Sequence, residues 1–556
     1  MDIGPFRANE TVLFCPYHNQ TSIRSDQLRK LTPERGTFGF DVIVEVGLEL
    51  FVHCHNNQEV MKTLAAKNVF VSEREISYLG RKFIIYLALA HRNAQYQIRK
   101  LMAKKGGYIL HVDGTCEGDS PNLFCGLDGI SELVLDTIKI PSEKKELLVP
   151  FFQGIKRQYG EPIALVHDMG RGIIAAVEEV FPGKPDFICH FHFLRDIGKD
   201  LLLEDYTALQ KRLRELKARP QLRQRSKYLE GKINPVSQTI EEIVASIEVG
   251  QWRASSPSEV PFIMTYALIN WVFEYPRQSG GYGFPFDRPH LDFFHRLQKV
   301  HELLWEIMRT HPGDDKDNKP YLLFYKAFKK IVEDEQLNSL ASKLVRKAKV
   351  FDQLRTAMRI ALPDEKNGIN DGGADADMKS IEKKVTAFKK WLLSDTLRVV
   401  SYSDMITQLD KYWDKLFADP LSVITSEGIH NYVQPQRTNN ILERFFRGEK
   451  QRARKKTGTS SLSKFLKSAL AETPLVQNLR NNEYLKIILN GCSSLADRFS
   501  QIDTNLVQQE LAKAKNNKEK ILPTIKKLIT DINLTTKIFT LYSSCRNINA
   551  NRHLRS

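Results

Sequence analysis

No run of about eighteen consecutive apolar residues occurs in the 556-residue chain, so a membrane-spanning helix is not expected. The opening MDIGPFRANE has no apolar signal core, and a soluble, intracellular protein is the expectation. Cysteine is sparse: seven residues (Cys15, Cys54, Cys116, Cys125, Cys189, Cys492 and Cys545) are too scattered for a disulfide framework, which points to a reducing compartment. No internal repeat of fixed period stands out, so nothing points to a repeat architecture. Acid is the scarcer charge, with 66 Asp+Glu against 82 Lys+Arg. The resulting +16 calls for an anionic partner, for which DNA, RNA and an anionic membrane qualify, the last being the least favoured. What is present is ample apolar material, 42% of the residues, over a length that suggests about three or four domains.

The most informative stretch is Gly107 to Thr115, GYILHVDGT. It reads as a short buried strand stopped by Asp113 and Gly114, so that a carboxylate stands at a sheet edge where a rigid fold can hold a metal ligand. Two further strands, Asn122–Leu127 and Glu132–Ile140, are joined by Asp128-Gly129, a dipeptide suited to a tight hairpin. A helix starting at Pro141-Ser142 and running to about Tyr159 follows. Then comes the apolar run Pro162–His167, of the kind buried on both faces and ending at Asp168. Helix Ile173–Phe181, strand Asp186–Cys189 and helix His192–Leu203 complete the order βββαβαβα. Two ionised carboxylates brought together repel unless a cation lies between them, and Mg²⁺ is the cation that carboxylates and a phosphate share. Strand-end capping is the plainer role for each acid alone. Glu117 and Asp119 are less favoured, since they lie beyond the strand end in a glycine-containing turn.

Upstream, residues 37–100 read as a compact basic helical unit. Glu59–Ala66 is helical, and Ser72 with Glu75 forms a capping box that opens a second helix carrying Arg74, Ser77, Tyr78, Arg81 and Lys82. This is a helix-turn-helix arrangement in which the second helix would enter the major groove, with ordinary helix packing as the alternative. Cys15-Pro-Tyr-His18 has the spacing of half a tetrahedral zinc site with no second half nearby, and Cys189 with His192 repeats its C-x-x-H spacing. A surface turn with a free thiol is the favoured reading there. Downstream, 204–430 reads as mainly helical, with Pro276–Pro289 and Pro363–Met378 as breaks and with tryptophans that belong mostly to the core. Glu443 then falls in the first turns of a helix capped by Thr438 or Asn439. The same helix carries Arg444, Arg447, Lys450, Arg452, Arg454, Lys455 and Lys456, a set suited to phosphates.

Together DGT at 113–115, VHDMG at 166–170, CHFH at 189–192 and TNNILERFFRGEKQRARKKTG at 438–458 resemble prokaryotic insertion-sequence transposases of the DDE class, in the general design of the Mutator-like enzymes. The resemblance covers about 107–203 and 430–470. It implies an α/β ribonuclease-H-like core with a mixed five-stranded sheet, split by a large helical insertion and flanked by an N-terminal helical DNA-binding domain and a helical C-terminal tail. The corresponding segments are 1–36 (a degenerate zinc ribbon at most), 37–100 (DNA binding), 106–203 (core), 204–430 (insertion), 431–470 (the Glu-bearing helix and basic extension) and 471–556 (basic tail). It further implies Asp113, Asp168 and Glu443 as catalytic and metal-binding residues, Cys189 and His192 as site-shaping, and two Mg²⁺ ions with Mn²⁺ as a substitute. Zinc is not expected. The implied partners are double-stranded DNA, as transposon ends and as target, and a second copy of the chain on that DNA, in a cytoplasmic, nucleoid-associated setting. A non-catalytic DNA-binding protein on such a scaffold and a structure-specific nuclease are the rival readings.

Overall fold

The computed structural model describes residues 25–34, 36–234, 236–250, 259–275, 280–310, 319–362, 377–459 and 461–516, with a few further positions outside these spans. The chain divides into two compact units, Met1–Ile98 with Lys450–Ser556, and Arg99–Glu449. Among the described residues no helix is long and apolar enough to cross a membrane.

The first unit is helical. Helix α1 (Phe40–Phe51) and α2 (Asn57–Ala65) precede α3 (Glu73–Asn93), whose start is fixed by the Ser72 hydroxyl accepting from the Glu75 N–H. From Phe83 to His91 α3 is buried on every side, as expected of a helix at the centre of a core. Gly47 of α1 makes that approach feasible, because a Cβ there would fall 2.0 Å from the Phe83 ring. Phe499 stacks on Tyr86 at 5.1 Å and meets Phe83 edge-on at 5.7 Å, and His91 Nδ1 is hydrogen-bonded to the Tyr484 hydroxyl at 2.9 Å. Residues some 400 positions apart in the chain therefore share one core, so the N-terminal and C-terminal segments are not separate bodies as the sequence suggests.

The second unit is built on a five-stranded mixed sheet. Strands β1 (Ile109–Thr115), β2 (Asn122–Asp128) and β3 (Val134–Ile140) form an antiparallel meander. Strands β4 (Ala164–His167) and β5 (Asp186–Ile188) add in parallel beyond β1, giving the spatial order β3-β2-β1-β4-β5. Every side chain of β4 is buried, which is why its sequence is a continuous apolar run rather than an alternation. Helices α4 (Lys145–Tyr159) and α5 (Arg171–Val180) cover the sheet through Phe124, Phe151, Phe152 and Phe181, with ring centroids 5.4 to 6.3 Å apart. Gly126 leaves the room on β2 that Ile155 and Phe151 fill.

Three local expectations are corrected. The β2–β3 connection is not a two-residue Asp-Gly turn. The Asp128 carboxylate instead accepts the N–H groups of Ile109, Ile130 and Ser131 and the Ser131 hydroxyl, which organises a longer loop and delays β3 to Val134. Helix α4 begins at Lys145 rather than at Pro141. The boundary drawn at 203 falls inside α6 (His190–Glu215), a continuous 26-residue helix that leaves the sheet after Cys189 and joins the core of the helical region. In that region α7 (Ala218–Glu230), α9 (Pro289–Thr310) and α10 (Glu335–Met358) pack on α6, and α8 (Val260–Phe273) packs on α7 and α9.

Candidate active site

Strands β1 and β4 run parallel, with His111 opposite Val166. Two residues further along each, the chain reaches Asp113 and Asp168. Asp113 on β1 and Asp168 just past β4 therefore stand at the same end of adjacent strands. The Asp113 carboxylate is buried and accepts the Gly114 N–H at 2.8 Å. Burial, then the negative charge of Asp168, push its carboxyl well above the ordinary range. The Gly114 bond opposes this, while Glu443 and Glu143 add to it. Asp168 is half-buried and accepts the Gly170 N–H at 2.9 Å, which organises the turn into α5.

Glu443 arrives on α11 (Asn440–Thr457), in its first turn. Burial raises its carboxyl, and the guanidinium groups of Arg195 and Arg447 counter that. The helix entry is corrected in one respect. The Asn439 side chain does not cap the helix: its Nδ2 donates to the Val112 carbonyl of β1 at 2.7 Å, and its Oδ1 is bonded to His111 Nδ1 at 2.9 Å. Burial holds His111 down at about 4, so its ring is neutral at pH 7 and Nδ1 carries the proton that bond requires. The Asn439 N–H donates to Cys189 Sγ at 3.3 Å, and the His190 N–H to the Arg437 carbonyl at 2.9 Å. Asn439 thereby fastens the approach to α11 onto both β1 and the start of α6. Thr438 Oγ1 is buried without a hydrogen-bond partner, so it is not the cap either.

Cys189 is fully buried, its thiol pushed up to about 12, chiefly by burial. It is therefore an un-ionised acceptor for the backbone rather than a thiolate ligand. His192 is held down at about 4 by burial and by Arg195, and its Nε2 stands 3.9 Å from Glu443 Oε1, against the carboxylate but beyond hydrogen-bond distance. Cys15 and His18 lie outside the described residues.

A fourth acid is missing from the sequence reading. Glu143 follows β3, accepts from Asn122 Nδ2 at 2.6 Å, and is raised by burial and by Asp168. Its position depends on two glycines: a Cβ at Gly114 would meet the Glu143 carboxylate at 2.3 Å, and one at Gly172 would meet its carbonyl oxygen at 1.9 Å. The DGT motif thus needs its glycine for space beside Asp113. That need, with an acid just past a strand end, was the available signal.

The negative charges of Asp168, Glu443 and Glu143 thus converge on Asp113. Among the described residues no group of three or more His, Cys, Asp or Glu side chains could hold a metal ion as it stands. The donor chemistry nonetheless fits a hard divalent cation. The oxygen donors are carboxylates, and Asp113 is raised by burial and then by like charge, the second of which a cation would relieve.

The basic residues separate into free and engaged groups. On α3, Arg74 is exposed, while the exposed Ser77 accepts from Asn57 Nδ2. Tyr78 and Arg81 are half-buried. Lys82 is a correction, since it is buried with Nζ 4.6 Å over the Tyr78 ring, because its face of α3 turns toward the core. On α11, Arg447, Lys450 and Arg454 are exposed, Arg452 is half-buried, and Arg444 is exposed and paired with Glu132 at 3.3 Å. Lys455 donates to the His53 carbonyl at 3.1 Å. Lys456 lies over the Phe51 ring at 5.2 Å, its ammonium lowered by burial, so both are drawn to the protein rather than held free for a phosphate. No family model matches the chain, and a search of the curated proteins finds no match.

Proposed function

We propose that the chain is a DDE-class transposase with a ribonuclease-H-like core, which cleaves DNA at the ends of an insertion sequence and joins those ends to a target. The observation that carries the reading is the convergence on Asp113 of charge from Asp168 and from Glu443, the latter 330 residues further along the chain. A strand-end acid used only as a cap gives no reason for such a gathering, which costs stability for as long as no cation is present. Asp113, Asp168 and Glu443 would hold Mg²⁺ or Mn²⁺, two ions in the full reading, with Glu143 as a fourth carboxylate at hand. Bound there, the cations supply neutralising charge and polarise the oxygens of a phosphodiester undergoing in-line displacement.

The chain's own part is binding and orientation. Asn439 fixes Glu443 against β1, neutral His192 closes one side of that carboxylate, and Arg195 and Arg447 offset its charge. Exposed Arg447, Lys450 and Arg454 suit the phosphate backbone, and the exposed start of α3 suits duplex recognition at the terminal repeats. Pairing two ends calls for at least two copies of the chain. The test is strand cleavage and strand transfer on labelled ends by purified protein. Asp113→Asn is expected to retain DNA binding and lose both products. Cleaved ends that are never joined to target would instead identify a nuclease.

A further inference from the structure

Away from the carboxylate cluster, the helical region holds a groove of about 580 Å³ between α7 and α8. Arg219, Arg223 and Lys227 line one wall at a spacing of four residues, so they form a single stripe along α7 with a helical rise of roughly 6 Å from one to the next. That step is close to the phosphate-to-phosphate step of an extended single strand. The facing wall supplies Phe273 and Tyr275. Arg219 is built in: it donates to the Tyr275 hydroxyl at 2.6 Å, is bonded to His290 Nδ1 at 3.1 Å, and lies 5.1 Å from the centroid of Phe293. Arg223 and Lys227 are exposed and make no ion pair among the described residues. The Arg223 guanidinium lies 5.8 Å over the Phe273 ring. Glu230 is the one carboxylate lining the groove. The net field is positive. His290, behind the groove, is held down at about 4 by burial and then by Arg219 and Arg214.

We propose that this groove binds an unpaired nucleic-acid strand, its phosphates on Arg223 and Lys227 and a base against Phe273. The Arg223 guanidinium fork and the Lys227 ammonium both suit phosphate, and the half-buried Phe273 ring beside Arg223 offers a base a stacking face that an acidic peptide would not use. The groove is also too small to admit a duplex. The inference goes beyond the reading of the carboxylate cluster and does not need it, since binding is measurable without cleavage.

The test is fluorescence anisotropy with the full-length chain in metal-free buffer, using a labelled oligothymidylate and a blunt duplex of equal length between about 50 and 200 mM salt. The double variant Arg223→Gln/Lys227→Gln should weaken oligothymidylate binding about tenfold. It should also lower the salt slope by about 1.4, two phosphates at about 0.7 each, with duplex binding changed less than about twofold. Phe273→Leu, which keeps both charges, should weaken it about fivefold with the slope unchanged. Unchanged oligothymidylate binding in the double variant overturns the proposal. So does an equal loss for the duplex, which would make the stripe a duplex contact. With labelled polyglutamate as a third ligand in the same assay, a loss of its binding while oligothymidylate binding is unchanged would make the groove a site for an acidic protein, and equally overturns the proposal.

Discussion

Two buried aspartates in the second unit meet opposite fates. Asp205 lies on α6 under α10, where Lys343 and Lys347 reach its two oxygens at 2.8 and 2.7 Å. Burial opposes its charge, but the two lysine bonds outweigh burial and hold the carboxyl below its ordinary value. Asp113, at the end of β1, has one backbone N–H and otherwise the like charges of Asp168, Glu443 and Glu143, and its carboxyl is driven upward. Both sites bury a carboxylate, and only one compensates it from within the chain. The helical region uses charge to hold two helices together. The strand ends of the sheet instead gather like charge around a buried carboxyl, a perturbation of the kind that clusters at functional sites.

The contrast can be broken residue by residue. The largest effect is expected for Asp113→Asn, which should reduce strand cleavage at least about a thousandfold while leaving the metal-free protein as stable as before or more so, because a repulsive charge is removed. Cleavage assays beside thermal melts read both. Asn439→Ala removes the two side-chain bonds to β1 and should cost about 2 to 3 kcal/mol in denaturant unfolding, with a fall in cleavage as Glu443 loses its anchor. Asp205→Asn should cost about 2 kcal/mol and leave cleavage per folded molecule unchanged.

The smallest effects are in pH dependence, measured as the stability difference between wild type and each Asn variant without metal. The Asp113 carboxyl is raised on folding. Its contribution is therefore fully present below the ordinary carboxylate range and is lost as pH rises through the folded value. The Asp205 carboxyl is lowered. Its contribution is present above the ordinary range and is lost as pH falls through the folded value. Slopes of the same sign for the two would erase the distinction.

Much of the sheet was legible because its signals are local. The apolar runs of β1 and β4, each ended by an acid, need only their own few residues to be read, and parallel pairing then sets Asp113 and Asp168 at the same end of adjacent strands. Glu443 was legible as an acid early in a basic helix. What escaped depends on tertiary contact. Glu143 matters because Gly114 and Gly172 leave space for it. Asn439 is in form a helix cap, and only the nearness of His111 and Val112 turns its side chain to β1. Lys82, Lys455 and Lys456 carry charges that a helical pattern assigns to solvent, whereas Tyr78, the His53 carbonyl and Phe51 draw them in. Asp128 reads as half of a turn dipeptide, yet its carboxylate organises a whole loop.

The central claim, that the carboxylate cluster is a divalent-cation site, is tested most directly by counting Mn²⁺ bound to the metal-free full-length protein by electron paramagnetic resonance. The account predicts saturable binding in the wild type and in Asp205→Asn, with loss in Asp113→Asn and in Glu443→Gln. No saturable binding in the wild type, or equal binding in all four proteins, would contradict it.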